Sequence, residues 1–335
     1  MGISKVKDSP WRFCVAPMMQ YTDRHFRYFA RIMSNRARLY TEMVVCDALL
    51  RGDAERFLDH SIDERPVALQ LGGSDPKDLS TAAKMGASAG YSEINLNVGC
   101  PSDRVKSGRF GACLMAEPIL VAECLQAMRE SVDIPVTVKT RIGIDRNDSY
   151  DEFTKFVEAV DSAQCAVIIV HARKAWLDGL SPRENREIPP LRYDIVRQLK
   201  FDFPHLTVVI NGGIKTIEQA TSHLSSVDGV MLGRAAYETP YLLSSVDKTI
   251  FDRPGKEESD RRKIFDRYLR YAAAELEDGT PLRKLTKPLH YLFQGQPGAR
   301  QWRRHLSEHC SQSGARIGAL ASAIRHVERA PDRLE

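Results

Sequence analysis

The chain has 335 residues, of which 43% are hydrophobic and 27% are charged, and its formal net charge is +4. Such values are ordinary for a globular protein, and the length allows one large domain and a smaller second one. The sequence has no apolar run long enough for a membrane span, no N-terminal secretory signal and no C-x-x-C pair, which predicts a cytoplasmic protein without membrane association, a metal site or a disulfide framework.

Short apolar runs alternate with amphipathic helical patterns over the first three quarters of the chain. Eight runs are rich in Val and Ile, as is typical of strands buried on both faces of a parallel sheet. In chain order, the predicted strands are Phe13–Ala16, Leu39–Met43, Pro66–Leu71, Glu93–Val98, Ile134–Lys139, Ala166–His171, Leu206–Asn211 and Gly229–Gly233. Predicted helices between them include Asp23–Met33, Asp75–Ala89, Glu117–Ser131, Tyr150–Ala163 and Thr216–Leu224.

This count favours a TIM (β/α)8 barrel, which has eight strands, eight helical segments and about 250 residues. A doubly wound open sheet is the alternative. It requires a glycine-rich turn after the first strand to bind a dinucleotide, and this chain has Ala16-Pro17-Met18-Met19 there instead. We therefore predict an α/β barrel as the catalytic domain in residues 1–250.

A small helical bundle is predicted for residues 251–335. The charged stretch Phe251–Asp260 contains Pro254 and Gly255 and is typical of a linker. Only helical patterns follow it, at Asp260–Glu277, Leu282–Phe293, Ala299–Cys310 and Ile317–Val327. From Glu257 to Glu335 there are 15 Lys/Arg and 11 Asp/Glu, so this part carries the whole net positive charge.

Polar residues or glycines follow most of the predicted strands, at the end where a barrel places its active site. A single such ending is common, but a set on one rim predicts a ligand. The endings, from the first strand to the eighth, are Pro17-Met18-Met19, Gln70, Asn95–Pro101, Lys139-Thr140-Arg141, His171, Asn211-Gly212-Gly213 and Gly233-Arg234.

The last two endings predict a phosphate site, because loops after strands seven and eight commonly hold phosphate in this fold. Gly212, Gly213 and Gly233 would let the backbone approach phosphate oxygens, and Arg234 adds a permanent charge. The alternative is that these glycines only shape the turns.

Three further endings predict a flavin ring. Lys139 ends an apolar strand, and a cation there would stabilise the negative charge of a reduced flavin. His171 and Gln70 can donate hydrogen bonds to the same ring, although a histidine at a strand end is often a core residue.

Cys100 lies at the rim after the fourth strand, on a loop that contains Gly108 and Gly111. Cysteine thiols are mostly protonated near neutral pH and can act as acids, although the nucleophilic role is more common. A buried strand-end cysteine is the alternative, and Cys113 on the same loop is the competing candidate.

These stretches together resemble the tRNA-dihydrouridine synthases. The most specific of them is Asn95-Leu96-Asn97-Val98-Gly99-Cys100-Pro101. The segment from His171 to Leu177 with Leu180-Ser181-Pro182, and the segment Gly295–Arg304, are similar to the A-type bacterial subfamily in particular. The resemblance extends from about Arg12 to about Ala330 and implies a barrel followed by a helical domain.

The resemblance also implies a role for each matching residue. Cys100 would be the proton donor and Asn97 would contact the target uridine. The positions matching FMN contacts are Pro17, Met18, Met19, Gln70, Lys139, His171, Asn211, Gly212, Gly213, Gly233 and Arg234. The positions matching tRNA contacts are Arg183, Arg186, Arg300 and Arg303.

The implied reaction is reduction of D-loop uridines, at tRNA positions 20 and 20a, to 5,6-dihydrouridine. NADPH would reduce the FMN, a hydride would pass to carbon 6 of the uracil, and Cys100 would protonate carbon 5. Two alternatives are a flavin barrel that reduces a free pyrimidine, as dihydroorotate dehydrogenases do, and an RNA-binding module with an idle barrel.

The window Pro281–Arg304 has the composition of an RNA-binding surface. It holds six Lys/Arg and no acidic residue, and His290, Tyr291, Phe293 and Trp302 are interleaved with them. Clustered cations beside aromatic rings suit phosphate contacts and base stacking, although a charge run is often only a solvated face. The loop after the sixth strand, Ala172–Pro190, also carries cations and is predicted to complete the RNA groove.

Overall fold

The computed structural model describes residues 8–255 and 260–328, and within them the parallel strands form a closed barrel. β1 pairs with both β2 and β9, and β2 also pairs with β4, which joins the two edges of the sheet. The predicted (β/α)8 barrel is therefore confirmed. The strands are β1 (Phe13–Val15), β2 (Arg38–Tyr40), β3 (Val44–Val45), β4 (Val67–Gly72), β5 (Glu93–Val98), β6 (Val136–Arg141), β7 (Val167–His171), β8 (Thr207–Asn211) and β9 (Gly229–Leu232).

One predicted strand, Leu39–Met43, is interrupted in the structure. β2 ends at Tyr40, and the two-residue β3 continues beside the end of β4, with Val44 opposite Leu71. The side-chain hydroxyl of Thr41 accepts the hydrogen bond of the Gln70 backbone N–H at 3.0 Å. This side-chain acceptor replaces a backbone carbonyl in the ladder, so that regular pairing stops there.

Helices cover the outside of the barrel, and their starts follow ordinary capping chemistry. The side chains of Asp23, Asp75, Ser149 and Thr216 each accept a hydrogen bond from a backbone N–H of the first turn. The five predicted helices are found within two residues of their predicted ends. The main helices are Arg24–Met33, Pro76–Ser88, Pro118–Arg129, Tyr150–Ser162, Tyr193–Asp202 and Ile217–His223, and the shorter ones are Cys46–Arg51, Ala54–Leu58, Asp103–Ser107, Arg234–Glu238 and Val246–Thr249.

The described residues after the barrel are helical, as predicted, with two differences. The predicted helix Ile317–Val327 is divided at Ile324 into two short helices. The predicted helix Leu282–Phe293 is an α-helical turn and a 3-10 helix, because Pro288 has no N–H to continue the α-helical ladder. The predicted linker begins in packed chain, since Phe251 is buried, and residues 256–259 lie outside the described residues. The elements are Arg261–Glu277, Leu282–Leu285, Lys287–Tyr291 (3-10), Ala299–His309, Ile317–Ala323 and Arg325–Glu328.

The helical part packs against the first barrel helix through aromatic rings. Tyr28 stacks on Tyr271 with ring centroids 3.9 Å apart, and Phe29 meets Tyr268 edge-on. The Nδ1 atom of His25 lies 2.7 Å from the Tyr271 hydroxyl. One apolar cluster contains buried residues of both parts, so the division at residue 250 stays a prediction.

None of the helices in the described ranges is both long and apolar enough to cross a membrane.

Candidate active site

The parallel register brings the predicted rim residues side by side. Asn97 on β5 lies opposite Lys139 on β6, and His171 on β7 lies opposite Asn211 on β8. Arg141 on β6 is also opposite His171. Since the strands are parallel, all of these side chains end at one mouth of the barrel.

The cations at this mouth, the buried Arg141 and the half-buried Lys139, are short of anionic partners. The Lys139 ammonium makes no hydrogen bond or ion pair with any residue in the described ranges, and burial and the nearby charge of Arg141 lower its pKa to about 7. Burial and the charges of Arg141 and Lys139 likewise hold the pKa of His171 well below its usual range, so His171 is neutral. Such a cluster is suited to an anionic or electron-rich ligand.

Arg141, named in the sequence argument only as part of a strand ending and given no role, joins two loops of the mouth. Its Nε donates to the Gly99 carbonyl at 2.9 Å, and its Nη1 donates to the carbonyls of Lys174 and Asn185 at 2.9 and 3.0 Å. Burial and the positive charges of Arg186 and Arg173 lower its pKa to about 10, which leaves it protonated. Its position at the end of an apolar strand was the available signal.

The glycine corner predicted for phosphate has little room for larger side chains. A Cβ atom on Gly212 would lie 2.6 Å from the His171 ring, and one on Gly213 would lie 2.5 Å from Leu191. Both glycines have positive φ, of 112° and 71°. A Cβ atom on Gly233 would lie 3.6 Å from its nearest neighbour, the Met18 sulfur. The residues that follow the first and the eighth predicted strands therefore lie next to each other.

Two arginines flank this corner in different states. Arg234 is exposed, and its Nη1 donates to the Glu187 carboxylate at 2.7 Å. Arg173, a further residue that the sequence argument did not assign to the phosphate, has a buried Nε atom without a hydrogen-bond partner in the described residues. A buried unpaired donor is costly, and this one is available to an acceptor oxygen at the corner.

Two of the remaining predicted rim residues, Met18 and Asn211, are held by hydrogen bonds within the protein. Met18 donates its backbone N–H to Thr22 at 2.9 Å, while the neighbouring Met19 side chain is exposed. Asn211 donates its side-chain amide to the Met231 carbonyl at 2.7 Å across β8 and β9. Pro17 is half-buried at the start of the same loop as Met18.

The loop after β5 positions Cys100 at the mouth. Its backbone N–H donates to the Asn97 side-chain oxygen at 3.0 Å, and its carbonyl accepts from the Ala112 N–H at 2.9 Å. The half-buried sulfur is 3.5 Å from the Ser102 hydroxyl. Positive φ at Gly111 lets the loop close, since a Cβ there would lie 2.7 Å from the Cys100 carbonyl.

The competing thiol, Cys113, is directed at its own loop. Its sulfur donates to the Phe110 carbonyl at 3.1 Å, and burial raises its pKa. Its hydrogen bond therefore leaves it less available than Cys100 for chemistry at the mouth.

The predicted RNA contacts fall into two groups. Arg183 and Arg186 are exposed on the loop after β7, and the buried Asn185 between them anchors that loop to the backbone of Trp176. Arg300 and Arg303 belong to the helix Ala299–His309, where Arg303 donates to Gln294 at 2.9 Å.

The aromatic part of the RNA prediction is wrong for two residues. Trp302 is completely buried and donates its Nε1–H to the Leu289 carbonyl at 3.0 Å, and Phe293 packs against it in the core. An exposed ring that the sequence argument missed is Tyr21, at the mouth, which meets Tyr237 edge-on with centroids 4.7 Å apart. The sequence signal for Tyr21 was its position shortly after Pro17-Met18-Met19, at the end of the first strand.

Across the described ranges, no group of three or more His, Cys, Asp or Glu side chains is arranged to hold a metal ion.

Comparison with known proteins gives one consistent result. Residues 14–328 match the family described as dihydrouridine synthase (Dus). The chain is 54% identical over 327 residues to the tRNA-dihydrouridine(20/20a) synthase of Shewanella oneidensis, covering 98% of this chain and 97% of that one. A protein of the same name from Synechocystis sp. is 55% identical over 311 residues, with 93% of each chain covered, and one from Escherichia coli K12 is 54% identical over 317 residues, with 94% and 91% covered.

Proposed function

Because the chain belongs to the dihydrouridine synthase family, we propose that it reduces the D-loop uridines at tRNA positions 20 and 20a to 5,6-dihydrouridine. The observation that carries this proposal is the half-buried thiol of Cys100 at the same barrel mouth as the half-buried, unpaired ammonium of Lys139. Reduction of a pyrimidine requires an acid that supplies a proton and a positively charged pocket that stabilises the developing negative charge, both at the same site.

The mouth has the donor set that FMN needs. The unpaired Nε of Arg173 and the glycine corner at Gly212 and Gly213 suit the phosphate group. Lys139 and the neutral His171 suit the polar edge of the ring. The other residues proposed to hold FMN are Pro17, Met18, Met19, Gln70, Asn211, Gly233 and Arg234.

When bound and reduced by NADPH, FMN would supply the hydride that carbon 6 of the uracil accepts. Lys139 is protonated below its pKa of about 7, and an anionic ligand would favour that form. Cys100 holds a proton on its sulfur and delivers it to carbon 5, which prevents the enolate from reverting.

The target uridine must leave its base stack to reach a mouth of this kind. We propose that Asn97 contacts this base and that Arg183 and Arg186 bind the neighbouring phosphates. Arg300 and Arg303 would hold the tRNA farther away, so that residues 1–250 form the catalytic domain and residues 251–335 form a tRNA-binding domain that adds the outer contacts. Because its proposed substrate is tRNA, we also propose that the protein acts in the cytoplasm.

The proposal is tested by purifying the protein and adding NADPH and tRNA from a strain that lacks dihydrouridine at positions 20 and 20a. We expect a yellow protein that NADPH bleaches and that forms dihydrouridine at those two positions. Controls are free uracil and dihydroorotate as substrates, and tRNA with the target uridines replaced by cytidine. Turnover of a free pyrimidine without turnover of tRNA would refute the proposal.

A further inference from the structure

A continuous chain of buried side chains runs through the barrel interior from its floor to the mouth. At the floor, the Glu93 carboxylate accepts hydrogen bonds from Arg38, Trp11 and Tyr40, each at 2.7 Å, and from the Thr137 hydroxyl. Glu93 and Thr137 are both fully buried.

From the floor, the chain continues upward through three amides. Asn95 donates its Nδ2–H to the Thr137 hydroxyl oxygen at 2.7 Å, and Gln70 donates its Nε2–H to Asn95 Oδ1 at 2.8 Å. Asn97 donates to Gln70 Oε1, also at 2.8 Å. The oxygen of Asn97 then accepts the backbone N–H groups of Gly99 at 3.1 Å and Cys100 at 3.0 Å.

The direction of every bond in this chain follows from its lower end. The Glu93 carboxylate, paired with the Arg38 guanidinium at 2.7 Å, accepts its hydrogen bonds, so the single hydroxyl proton of Thr137 is donated to Glu93, and its oxygen is left to accept from Asn95. The amides of Asn95, Gln70 and Asn97 are then oriented in turn. Each of them donates its N–H to the residue below, and its oxygen accepts from the residue above.

We propose that Glu93, Thr137 and Asn95 are positioning residues, which fix the amide orientation of Asn97 and thereby hold the backbone of Cys100 in place for proton delivery. The proposal rests on the function proposed above and extends it as far as Glu93, which lies roughly 13 Å along β5 from Asn97, at about 3.3 Å per residue.

The physical reason is that a flipped Asn97 would be incompatible with the loop. Its NH2 group would then face the N–H groups of Gly99 and Cys100, and donors cannot pair with donors. With Thr137 removed from the chain, the buried Asn95 N–H loses its acceptor, so the amides above it are held only from the upper end, by the N–H groups of Gly99 and Cys100. The acid would then occupy its productive position for a smaller fraction of time, and small misplacements of reacting groups can lower rates a hundredfold.

The test compares two substitutions at the same carboxylate. Thr137→Val keeps the shape of the side chain and breaks the chain, whereas Tyr40→Phe removes another hydrogen bond to Glu93 and leaves the chain intact. Thr137→Ser restores the hydroxyl and serves as the rescue. Each protein is assayed as the FMN-loaded enzyme, by single-turnover flavin oxidation with saturating unmodified tRNA and by hydrogen exchange of the Gly99 and Cys100 amides.

For Thr137→Val we expect a tenfold to hundredfold slower turnover, at least tenfold faster exchange of both amides, and tRNA affinity within twofold of wild type. Tyr40→Phe is expected to stay within twofold in every measurement, and Thr137→Ser within about threefold. If Thr137→Val does not fold, Glu93→Gln replaces it, because a neutral amide there no longer dictates the direction of the chain.

Equal losses in Thr137→Val and Tyr40→Phe, or a wild-type rate and exchange in Thr137→Val, would overturn the proposal. An inactive wild-type enzyme would instead refute the proposed function. The exchange measurement distinguishes the two failures, since it does not depend on turnover.

Discussion

The barrel mouth and the C-terminal helices use cations in opposite ways. At the mouth, Arg141 is buried and Lys139 is half-buried, neither has a carboxylate partner in the described residues, and burial lowers both pKa values. On the bundle, Arg300 is exposed, and Arg304 is paired with Glu308 at 2.8 Å. Burying a cation without a partner costs free energy, so such a cation indicates a ligand. An exposed cation has no such cost, and its part in tRNA binding has to be tested by a binding measurement.

The largest effect is expected from removing the acid at the mouth. Cys100→Ala should lower the rate of uridine reduction by about a hundredfold to ten-thousandfold, since general acid catalysis is worth that much. Bound flavin and tRNA affinity should be retained, as measured by absorbance and by a binding assay. The matched control is Cys113→Ala, which should keep its rate because that thiol bonds to its own loop. A fully active Cys100→Ala enzyme would place the acid elsewhere.

In the bundle, the largest expected effect is on stability. Trp302→Ala should lower the free energy of unfolding by about 3–5 kcal/mol, because it empties a completely buried aromatic site. Urea denaturation at equilibrium measures this loss. Tyr21→Ala, which truncates an exposed ring, is the matched comparison and should cost much less. Wild-type stability of Trp302→Ala would show that the ring is available for base stacking after all.

The surface cations of the bundle should act through salt-dependent affinity. The double change Arg300→Gln and Arg303→Gln should weaken tRNA binding by about tenfold and reduce the slope of log affinity against log salt by up to about 2. NADPH oxidation without tRNA should be unaffected. Arg304→Gln is the control, since Glu308 already pairs with that guanidinium. Identical effects of the control and the double change would mean that general charge, and not these two contacts, determines affinity.

The smallest effect is expected at the contact between the two regions, and it depends on pH. Burial, and then the charges of Arg24 and Lys284, lower the pKa of His25 from 6.5 to about 3. Between these two pH values the unfolded chain therefore binds a proton that the folded chain does not bind. The contribution of His25 to the free energy of unfolding is complete above pH 6.5 and is lost as the pH falls towards 3. Melting temperatures from pH 7 to pH 4 should fall less steeply for His25→Gln. Parallel curves would mean that His25 titrates normally.

The sequence predicted the barrel better than the bundle surface for a physical reason. Parallel strands end at a common rim, so Gln70, Lys139 and His171 were placed together without knowledge of any contact. Helical spacing placed Arg300 and Arg303 on one helix but did not reveal that Trp302 between them is buried.

Some parts of the site depend on long-range contacts that no local pattern encodes. The role of Arg141 needs the carbonyls of Gly99 and Asn185, which are far apart in sequence. The interruption of the second strand likewise depends on a hydroxyl of Thr41 meeting Gln70. Both required the three-dimensional arrangement.

The hydrogen bonds of Arg141 have a mechanical consequence. One guanidinium is tied to the carbonyl before Cys100 and also to two carbonyls of the loop that carries Arg183 and Arg186. If Arg183 and Arg186 bind tRNA as proposed, a polynucleotide that displaced the outer loop would also strain the bonds that hold the segment bearing the Cys100 sulfur. The proposed roles of the two loops would then be mechanically coupled through one guanidinium.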